Sequence, residues 1–388
     1  MDIVIEVLRA IGRLFLNPLL YIALLTLVWI GYQRVKRERK FFNIRILGGW
    51  TELKIGLKTL SLSLIVSVIT VAAGLVVPVQ FLVMLTIVTA VLLIVQLHAL
   101  LSPVIVAALT SIILVVMQLF EWQFSLFGIE VVGMQITNEA IISITIIAGL
   151  LLVVESIFMR KYATQLASPI IEKTKRGGKA IAYLSKGIWI LPVFIVVPGD
   201  AIAQWTPYFP QIKLGETMFS LIVFPFIIGF KQMTRQKLPV YVYPSYTKGL
   251  LVLGQIVIIG AIAGIFDTLI AFITLMVGAS LRIISKIVVS LEERKEQYAV
   301  VAKSSGAMIA AVLPNSPAEK MGLVPGEIIK RVNGLEVYNE SELYEALQVN
   351  AALCKLEVLD HQLELRLTQH VVHNEDHHQI GVLLAEKI

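Results

Sequence analysis

The sequence predicts a polytopic α-helical membrane domain of about nine spans, with seven to nine as the range, followed by a small α+β domain. Three observations support this fold class. Hydrophobic residues make up 57% of the 388 residues and charged residues only 15%, so the chain is more apolar than soluble domains usually are. Lysine and arginine cluster in short runs between apolar segments. From Leu291 onward the composition becomes that of an amphipathic soluble chain.

Nine segments approach the length of about 20 mostly apolar residues that a spanning helix needs. They are Phe15–Tyr32, Thr59–Val79, Phe81–Leu97, Val104–Phe120, Ala140–Met159, Gly187–Trp205, Leu214–Phe230, Gly249–Phe266 and Thr268–Ile284. The connection Pro78-Val79-Gln80 is very short, and the last two segments are separated only at Asp267. Re-entrant or tilted elements are therefore the alternative at these two places.

The chain divides into three parts. Residues 1–14 are predicted to form an N-terminal interfacial segment, because apolar residues recur there at helical spacing opposite charged ones. Residues 15–290 form the multi-span transmembrane domain. Residues 291–388 form the C-terminal domain, which begins with the charged stretch 292–296.

The distribution of positive charge predicts the orientation in the membrane, because short loops rich in lysine and arginine stay in the cytoplasm. Three such loops are 34–58, 160–186 and 231–248. In contrast, residues 121–139 contain no lysine or arginine, and residues 206–213 contain one lysine. This alternation places the C-terminus in the cytoplasm and the N-terminus outside, although Arg9 and Arg13 argue against the latter. The net charge of +6 is therefore explained by topology, and no nucleic-acid partner is expected.

Motifs for catalysis and metal binding are not found in the sequence. There is no His-Glu-x-x-His on an apolar helix and no Gly-x-Ser-x-Gly elbow. The single cysteine, Cys354, excludes an intramolecular disulfide and a cysteine-based metal cluster. His373, His377 and His378 with Asp376 lack convincing ligand spacing and are interpreted as a solvated loop. We expect a protein that is not an enzyme and needs no cofactor.

Four ionisable residues, Glu155, Asp200, Asp267 and Arg282, lie in or beside predicted spans. Such residues are functional candidates by default, so a proton or ion path is one interpretation. Each lies near a predicted helix end, however, which favours a structural role in which Glu155 and Arg282 reach the interface.

The basic loop 34–58 also contains Phe41, Phe42 and Trp50. Aromatic residues beside lysine and arginine can bind anionic lipid headgroups at a cytoplasmic surface. A purely topogenic role for the positive charge is the alternative.

Local turn chemistry defines the C-terminal domain. Ser316 is a candidate N-cap for a short helix, with Pro317 at its first position and Glu319 completing a capping box. Asn333-Gly334 is the dipeptide favoured in two-residue hairpin turns. Asn339 then precedes a second predicted helix, 341–349.

The string SPAEKMGLVPGEIIKRVNG, residues 316–334, resembles the bacterial PDZ family. The usual form in that family is SPA, two residues, AGL, two residues, GD, an apolar strand and NG. Met321 stands where alanine is usual and Glu327 where aspartate is usual, and neither change disturbs the turn chemistry. The resemblance implies that the C-terminal domain is a small α+β PDZ-like domain.

Members of this family bind an extended peptide as an added strand between a sheet edge and a helix. No Gly-Leu-Gly-Phe-like loop precedes Gly306, whereas residues 379–384 resemble one. We therefore predict a circularly permuted groove, with a core strand at 380–384 as the alternative. The predicted groove residues are Ile380, Gly381, Val382, Leu383, Leu343 and Leu347.

The layout of many spans, one cytoplasmic PDZ domain and no catalytic motif resembles the MinJ family of cell-division topology proteins. Local matches are 17–21, Asn-Pro-Leu-Leu-Tyr, and the run from Arg34 to Phe42. The resemblance implies a membrane-anchored adaptor, enriched at division septa and poles, that recruits a DivIVA-type scaffold and a MinD-type ATPase. Division-ring membrane proteins and membrane lipids are further expected partners.

Two other functions remain open from the sequence. One is a transporter or channel that carries the PDZ domain as a regulatory appendage. The other is a degenerate protease that binds substrates without cleaving them.

Overall fold

In the computed structural model, a domain of helices packed against a long β-hairpin is followed by a small sheet domain. The described residues are 9–126, 129–135, 139–174, 177–199, 212–214, 217–294, 298–303, 305–350, 353–371 and 380–385. The first eight residues of the predicted interfacial segment lie outside these ranges, as do Asp200 and the histidine stretch 373–378.

Within the described residues, five helical segments are long and apolar enough to cross a membrane. They are α1 (Pro18–Phe42), Thr51–Ala72, which consists of α2 (Thr51–Gly56) and α3 (Leu60–Ala72), α6 (Ala140–Tyr162), α7 (Pro239–Ala263) and α8 (Thr268–Glu292). Two apolar helices are shorter, α4 (Val79–Ile94) and α5 (Pro103–Leu119). These elements overlap seven of the nine predicted spans, so the count of nine is not confirmed.

Side-chain caps fix the start of two spanning helices. The side chain of Asn17 accepts a hydrogen bond from the backbone N–H of Leu19 at 3.0 Å, and Pro18 occupies the first helical position of α1. The side chain of Asp267 accepts from the backbone N–H of Leu269 at 2.9 Å at the start of α8. Asp267 therefore has a structural role as an N-cap.

The predicted spans Gly187–Trp205 and Leu214–Phe230 are wrong. The chain there forms two long antiparallel strands, β4 (Lys179–Pro198) and β6 (Thr217–Thr234). A continuous apolar run does not distinguish a buried strand from a helix. Because most of β4 is buried on both faces, apolar and polar residues do not alternate along it. The prolines Pro192 and Pro225, which are cross-strand partners, are the signal against a helix.

Side chains of α3 form hydrogen bonds with backbone groups of β4. Ser67 accepts a hydrogen bond from the backbone N–H of Phe194 at 3.0 Å, and Thr70 donates to the carbonyl oxygen of Phe194 at 2.8 Å. Farther along, the N–H of Val77 donates to the carbonyl oxygen of Val196 at 2.9 Å. Backbone groups that lie away from water need such partners, so these hydrogen bonds allow a strand to lie among spanning helices.

The remaining strands of this domain pair antiparallel, in hairpins or with β4 and β6. They are β1 (Gln123–Leu126) with β2 (Ile129–Val132), β3 (Ala167–Lys173) with β4, and β5 (Ile212–Leu214) with β6. The strand β7 (Val300–Val301), which follows α8, pairs with β4 at Ala180 and Ile181. The segment leading to the C-terminal domain is thus hydrogen-bonded to the preceding one.

The C-terminal domain is an antiparallel sheet with two short helices. Its strands are β8 (Ala307–Val312), β9 (Ile328–Val332), β10 (Leu335–Glu336), β11 (Leu353–Leu359), β12 (Leu365–Val371) and β13 (Val382–Leu384), and its helices are α9 (Pro317–Lys320) and α10 (Glu340–Gln348). The strand order is β12-β11-β9-β8-β13, with β10 paired to β9. The predicted turn is confirmed, because Asn333 and Gly334 both have positive φ, 52° and 89°.

Glu155 and Arg282 do not reach the interface as predicted. Both are buried, and a guanidinium nitrogen of Arg282 lies 2.5 Å from the carboxylate of Glu155. Ser102 donates to the same carboxylate at 2.5 Å, and Arg282 donates to the hydroxyl oxygen of Tyr246 at 2.7 Å. A buried ion pair is tolerated when further hydrogen bonds satisfy its atoms, so this network joins α5, α6, α7 and α8.

Candidate peptide-binding groove

The strand β13 forms one end of the sheet. It pairs antiparallel with β8, with Val382 opposite Val312 and Leu383 opposite Ala311, and the strand order of the described residues ends at β13. An extended peptide can add to such an edge through main-chain hydrogen bonds. The permuted strand predicted from the sequence therefore lies at a sheet edge.

A tight turn leads into β13. Ile380 and Gly381 have positive φ values of 51° and 82°, and the carbonyl oxygen of Ile380 accepts a hydrogen bond from the N–H of Ala318 at 3.0 Å. A Cβ atom at Gly381 would lie 2.2 Å from the Cβ atom of Ser316. Glycine is thus required at residue 381 both by its φ and by this close approach.

The helix α10 packs over the same side of the sheet. Leu343 and Leu347 share one hydrophobic cluster with Ile380 and Val382. The start of the helix is fixed by Asn339, whose side chain accepts from the N–H of Glu342 at 2.9 Å, as the sequence predicts. The structure therefore brings four of the six predicted groove residues together.

Leu383 does not belong to this cluster. Side chains alternate between the two faces of a strand, and Leu383 packs instead with Ile181 and Tyr183 of β4 and with Leu238. The structure therefore does not support the predicted place of Leu383 in the groove. The alternation of side chains along a strand could have shown this from the sequence alone. By the same alternation Leu384, which is not among the predicted groove residues, is packed against the cluster that contains Val382.

Asn333 fixes the position of α10 relative to the sheet. Its side-chain amide donates to the carbonyl oxygen of Ala346 at 3.0 Å. Its side-chain oxygen accepts from the backbone N–H of Lys355 at 3.0 Å. The asparagine of the hairpin turn thus also supports the helical wall of the groove.

Glu327, one of the departures from the usual PDZ pattern, retains a turn function. Its carboxylate accepts a hydrogen bond from the backbone N–H of Val324 at 3.0 Å and from Arg366 at 2.7 and 3.0 Å. Arg366 also donates to the carbonyl oxygens of Met321 and Gly322 at 3.3 and 3.2 Å. The longer side chain therefore holds the turn before β9 together with β12.

The basic loop offers fewer free charges than its sequence suggests. Arg34 is buried and forms ion pairs with Glu38 and Glu52. It also donates to the carbonyl oxygen of Gly48 at 2.7 Å, so its guanidinium is engaged within the protein. Trp50 is exposed.

Comparison with known proteins matches both parts of the chain. The PDZ domain family model matches residues 308–359. The chain is 28% identical to the cell division topological determinant MinJ of Bacillus subtilis (strain 168), over 98% of this chain and 96% of that protein. It is 23% identical to the probable cell division topological determinant MinJ of Lacticaseibacillus paracasei, over 71% of this chain and 77% of that protein. A 64-residue stretch, 16% of this chain and 14% of that protein, is 42% identical to the serine protease HTRA1 of Xenopus laevis. No solved structure matches.

Fold, groove and matched family model together define a membrane protein with a C-terminal PDZ domain. The similarity to the determinant of Bacillus subtilis covers 98% of the chain and therefore includes both of its domains. The chain is thus similar to MinJ-type cell-division proteins, which confirms the resemblance found in its sequence.

Proposed function

We propose that this chain is a membrane-anchored adaptor that recruits proteins of division-site selection to cell poles and septa. The observation that carries the proposal is the similarity to a cell division topological determinant over 98% of the chain. We place its partners in two groups, a DivIVA-type scaffold and a MinD-type ATPase, with division-ring membrane proteins as further ligands. The chain acts without catalysis and without a cofactor.

Recruitment in this proposal uses the groove between β13 and α10. A partner segment adds as a strand to β13, so that main-chain hydrogen bonds supply affinity and contacts of its side chains beside α10 supply specificity. The multi-pass membrane domain holds the PDZ domain at the cytoplasmic face. Confinement to one surface raises the effective concentration toward membrane-associated partners, so individually weak contacts suffice.

The buried charges of the membrane domain support this function over transport. Glu155 and Arg282 neutralise each other, and Arg34 is neutralised by Glu38 and Glu52. Ionisable residues within membrane segments are candidates for ion and proton paths, but a buried ion pair whose atoms are satisfied by further hydrogen bonds is also tolerated as part of the structure. Groups held in internal ion pairs fit a structural role.

Fluorescence localisation of the tagged chain in its native cell tests the proposal. We expect enrichment at septa and poles for the full chain and a uniform membrane signal after removal of residues 298–388. Leu347→Lys, which places a charge in the groove, should also lose enrichment. Gln348→Lys adds the same charge at the exposed neighbouring position and should keep it. A full chain that spreads evenly over the membrane would contradict the proposal.

A further inference from the structure

Four cations from three parts of the membrane domain lie close together at the base of the β4–β6 hairpin. Lys186 and Lys231 are direct cross-strand partners, a position at which side chains project from the same face with Cβ atoms roughly 5 Å apart. The charges of Lys231 and Arg37 act on Lys186, and the charge of Lys231 acts on Lys286 of α8. We call Arg37, Lys186, Lys231 and Lys286 the cationic cluster.

The described part of the chain does not neutralise the cationic cluster. Among the described residues, none of its four members forms an ion pair with a carboxylate. Glu38 and Glu52 do act on Arg37, but both are ion-paired with Arg34. Like charges directly opposite each other on neighbouring strands are destabilising, so a bound anion would relieve a repulsion that the fold contains.

Hydrogen-bond donors remain available in the cationic cluster. The Nε atom of Arg37 is buried without a partner in the part of the chain that the structure describes. The ammonium group of Lys186 donates to the side-chain oxygen of Gln33 at 3.3 Å and has two further donors. Burial, and then the charges of Lys231 and Arg37, lowers the pKa of Lys186 to about 8, which leaves it mostly protonated at neutral pH.

An apolar groove adjoins the cationic cluster. Its volume is about 350 Å³, and it is lined by Ile105 of α5, by Ile283 and Ile287 of α8, and by Lys286 and Arg294. Because α8 is long and apolar enough to cross a membrane, its exposed residues Ile283 and Ile287 are available to lipid acyl chains. The groove thus combines apolar walls with positive charge.

The geometry points to a binding site for an anionic phospholipid, with the headgroup phosphate at the cationic cluster and an acyl chain in the groove. A lipid fits better than free phosphate because Lys286 belongs to both the cluster and the groove. Basic pockets between membrane helices bind anionic headgroups in this way. The site lies on the side of the membrane domain that carries the PDZ domain, since β7 pairs with β4 at Ile181, close to Lys186.

Native mass spectrometry of the full chain tests this site. The chain is reconstituted in nanodiscs of phosphatidylcholine with increasing fractions of phosphatidylglycerol, and the lipids retained after release are counted. We expect preferential retention of phosphatidylglycerol and a loss of roughly fivefold in its affinity for Lys231→Gln, from the contribution of one cation near a membrane surface. Lys36→Gln removes the same charge from an exposed position on α1 and should retain the wild-type preference.

Stability measurements separate binding from folding. In lipid-free detergent, Lys231→Gln should unfold at the same temperature as the wild type or higher, because it removes repulsion with Lys186. Addition of phosphatidylglycerol should raise the unfolding temperature of the wild type more than that of Lys231→Gln. Equal retention of the two lipids by the wild type, or an equal loss in Lys36→Gln, would overturn the proposal. Stabilisation by inorganic phosphate as strong as that by phosphatidylglycerol would assign the site to free phosphate instead.

Discussion

The hydroxyl group of Tyr183 in the membrane domain donates a 2.7 Å hydrogen bond to the carbonyl oxygen of Ala310 in the PDZ domain. Both residues are buried, and they share one hydrophobic cluster with Leu383 and Val300. The strand that precedes the PDZ domain also pairs with the strand that carries Tyr183. The PDZ domain is therefore docked on the membrane domain rather than tethered by a free linker.

Tyr183→Phe should weaken this docking. The substitution leaves the buried carbonyl of Ala310 without its partner, which costs about 1–3 kcal/mol. We expect faster hydrogen exchange in β7 and β8 of the full chain, with unchanged exchange in α6. Tyr241→Phe is the matched control, because Tyr241 also joins the two domains, through His361 at 2.8 Å, but on an exposed surface. Equal effects of both variants would contradict a special role for Tyr183.

Val382→Ala and Leu383→Ala should have different effects, although the two residues are neighbours on β13. Val382 shares a hydrophobic cluster with Leu343 and Leu347 of α10, so its truncation should speed hydrogen exchange in that helix. Leu383 lies against Ile181 and Tyr183, so its truncation should speed exchange in β7 and at the start of β4. Large-to-small changes at buried positions cost about 1–5 kcal/mol, enough for detection. The same exchange pattern for both variants would show that the strand register is different.

The local elements of the PDZ domain could be predicted from the sequence because short-range chemistry determines them. Ser316 caps α9 by accepting from the N–H of Glu319 at 3.3 Å, and Asn333-Gly334 forms the predicted turn. The groove itself stays a prediction, in which the loop resemblance supplied Ile380 and Val382 and the predicted helix supplied Leu343 and Leu347. The misplacement of Leu383 was avoidable, since alternation along a strand needs no tertiary information.

Elements determined by distant parts of the chain could not be predicted in this way. Apolar and polar residues do not alternate along β4, because helices cover the face of the sheet that is often exposed to solvent. Only the tertiary structure shows that cover. Likewise, Glu155 and Arg282 are separated by 127 positions, so no local pattern indicates that they neutralise each other.

Gly381→Ala should destabilise the PDZ domain and remove peptide binding at the groove. Gly381 has φ +82°, and an added Cβ would lie 2.2 Å from the side chain of Ser316. The left-handed conformation alone costs about 1–2 kcal/mol for alanine, and the overlap adds to that cost. Gly334→Ala is the control, because Gly334 has a similar φ of +89° but no atom within 4 Å of the added Cβ. Thermal unfolding of the full chain should show the larger loss for Gly381→Ala, and equal losses would argue against the close approach.

The junction between the domains contains a carboxylate whose ionisation should make docking depend on pH. Hydrogen bonds from Arg235 at 2.7 and 2.8 Å lower the pKa of Glu172. The hydroxyl group of Tyr298, just before β7, donates to the same carboxylate at 3.0 Å. Glu172 therefore joins β3, the residue after β6 and the segment that enters the PDZ domain.

Because the pKa of Glu172 is lowered on folding, its stabilising contribution is present above the unfolded value of about 4.3 and is lost as the pH falls through the folded value. Glu172→Gln should lower stability at neutral pH by about 0.2–1 kcal/mol, the range for a partly exposed pair. Once the pH has fallen below the lowered pKa of Glu172, the variant and the wild type should converge, because protonated glutamate is as neutral as glutamine. Thermal unfolding monitored at β7 by hydrogen exchange checks this convergence.

Glu336→Gln provides the comparison. Tyr338 and Arg331 lower the pKa of Glu336 at an exposed site away from the junction, so β7 should not respond to this substitution. A constant difference between Glu172→Gln and the wild type at every pH would show that the charge of Glu172 does not stabilise the docking.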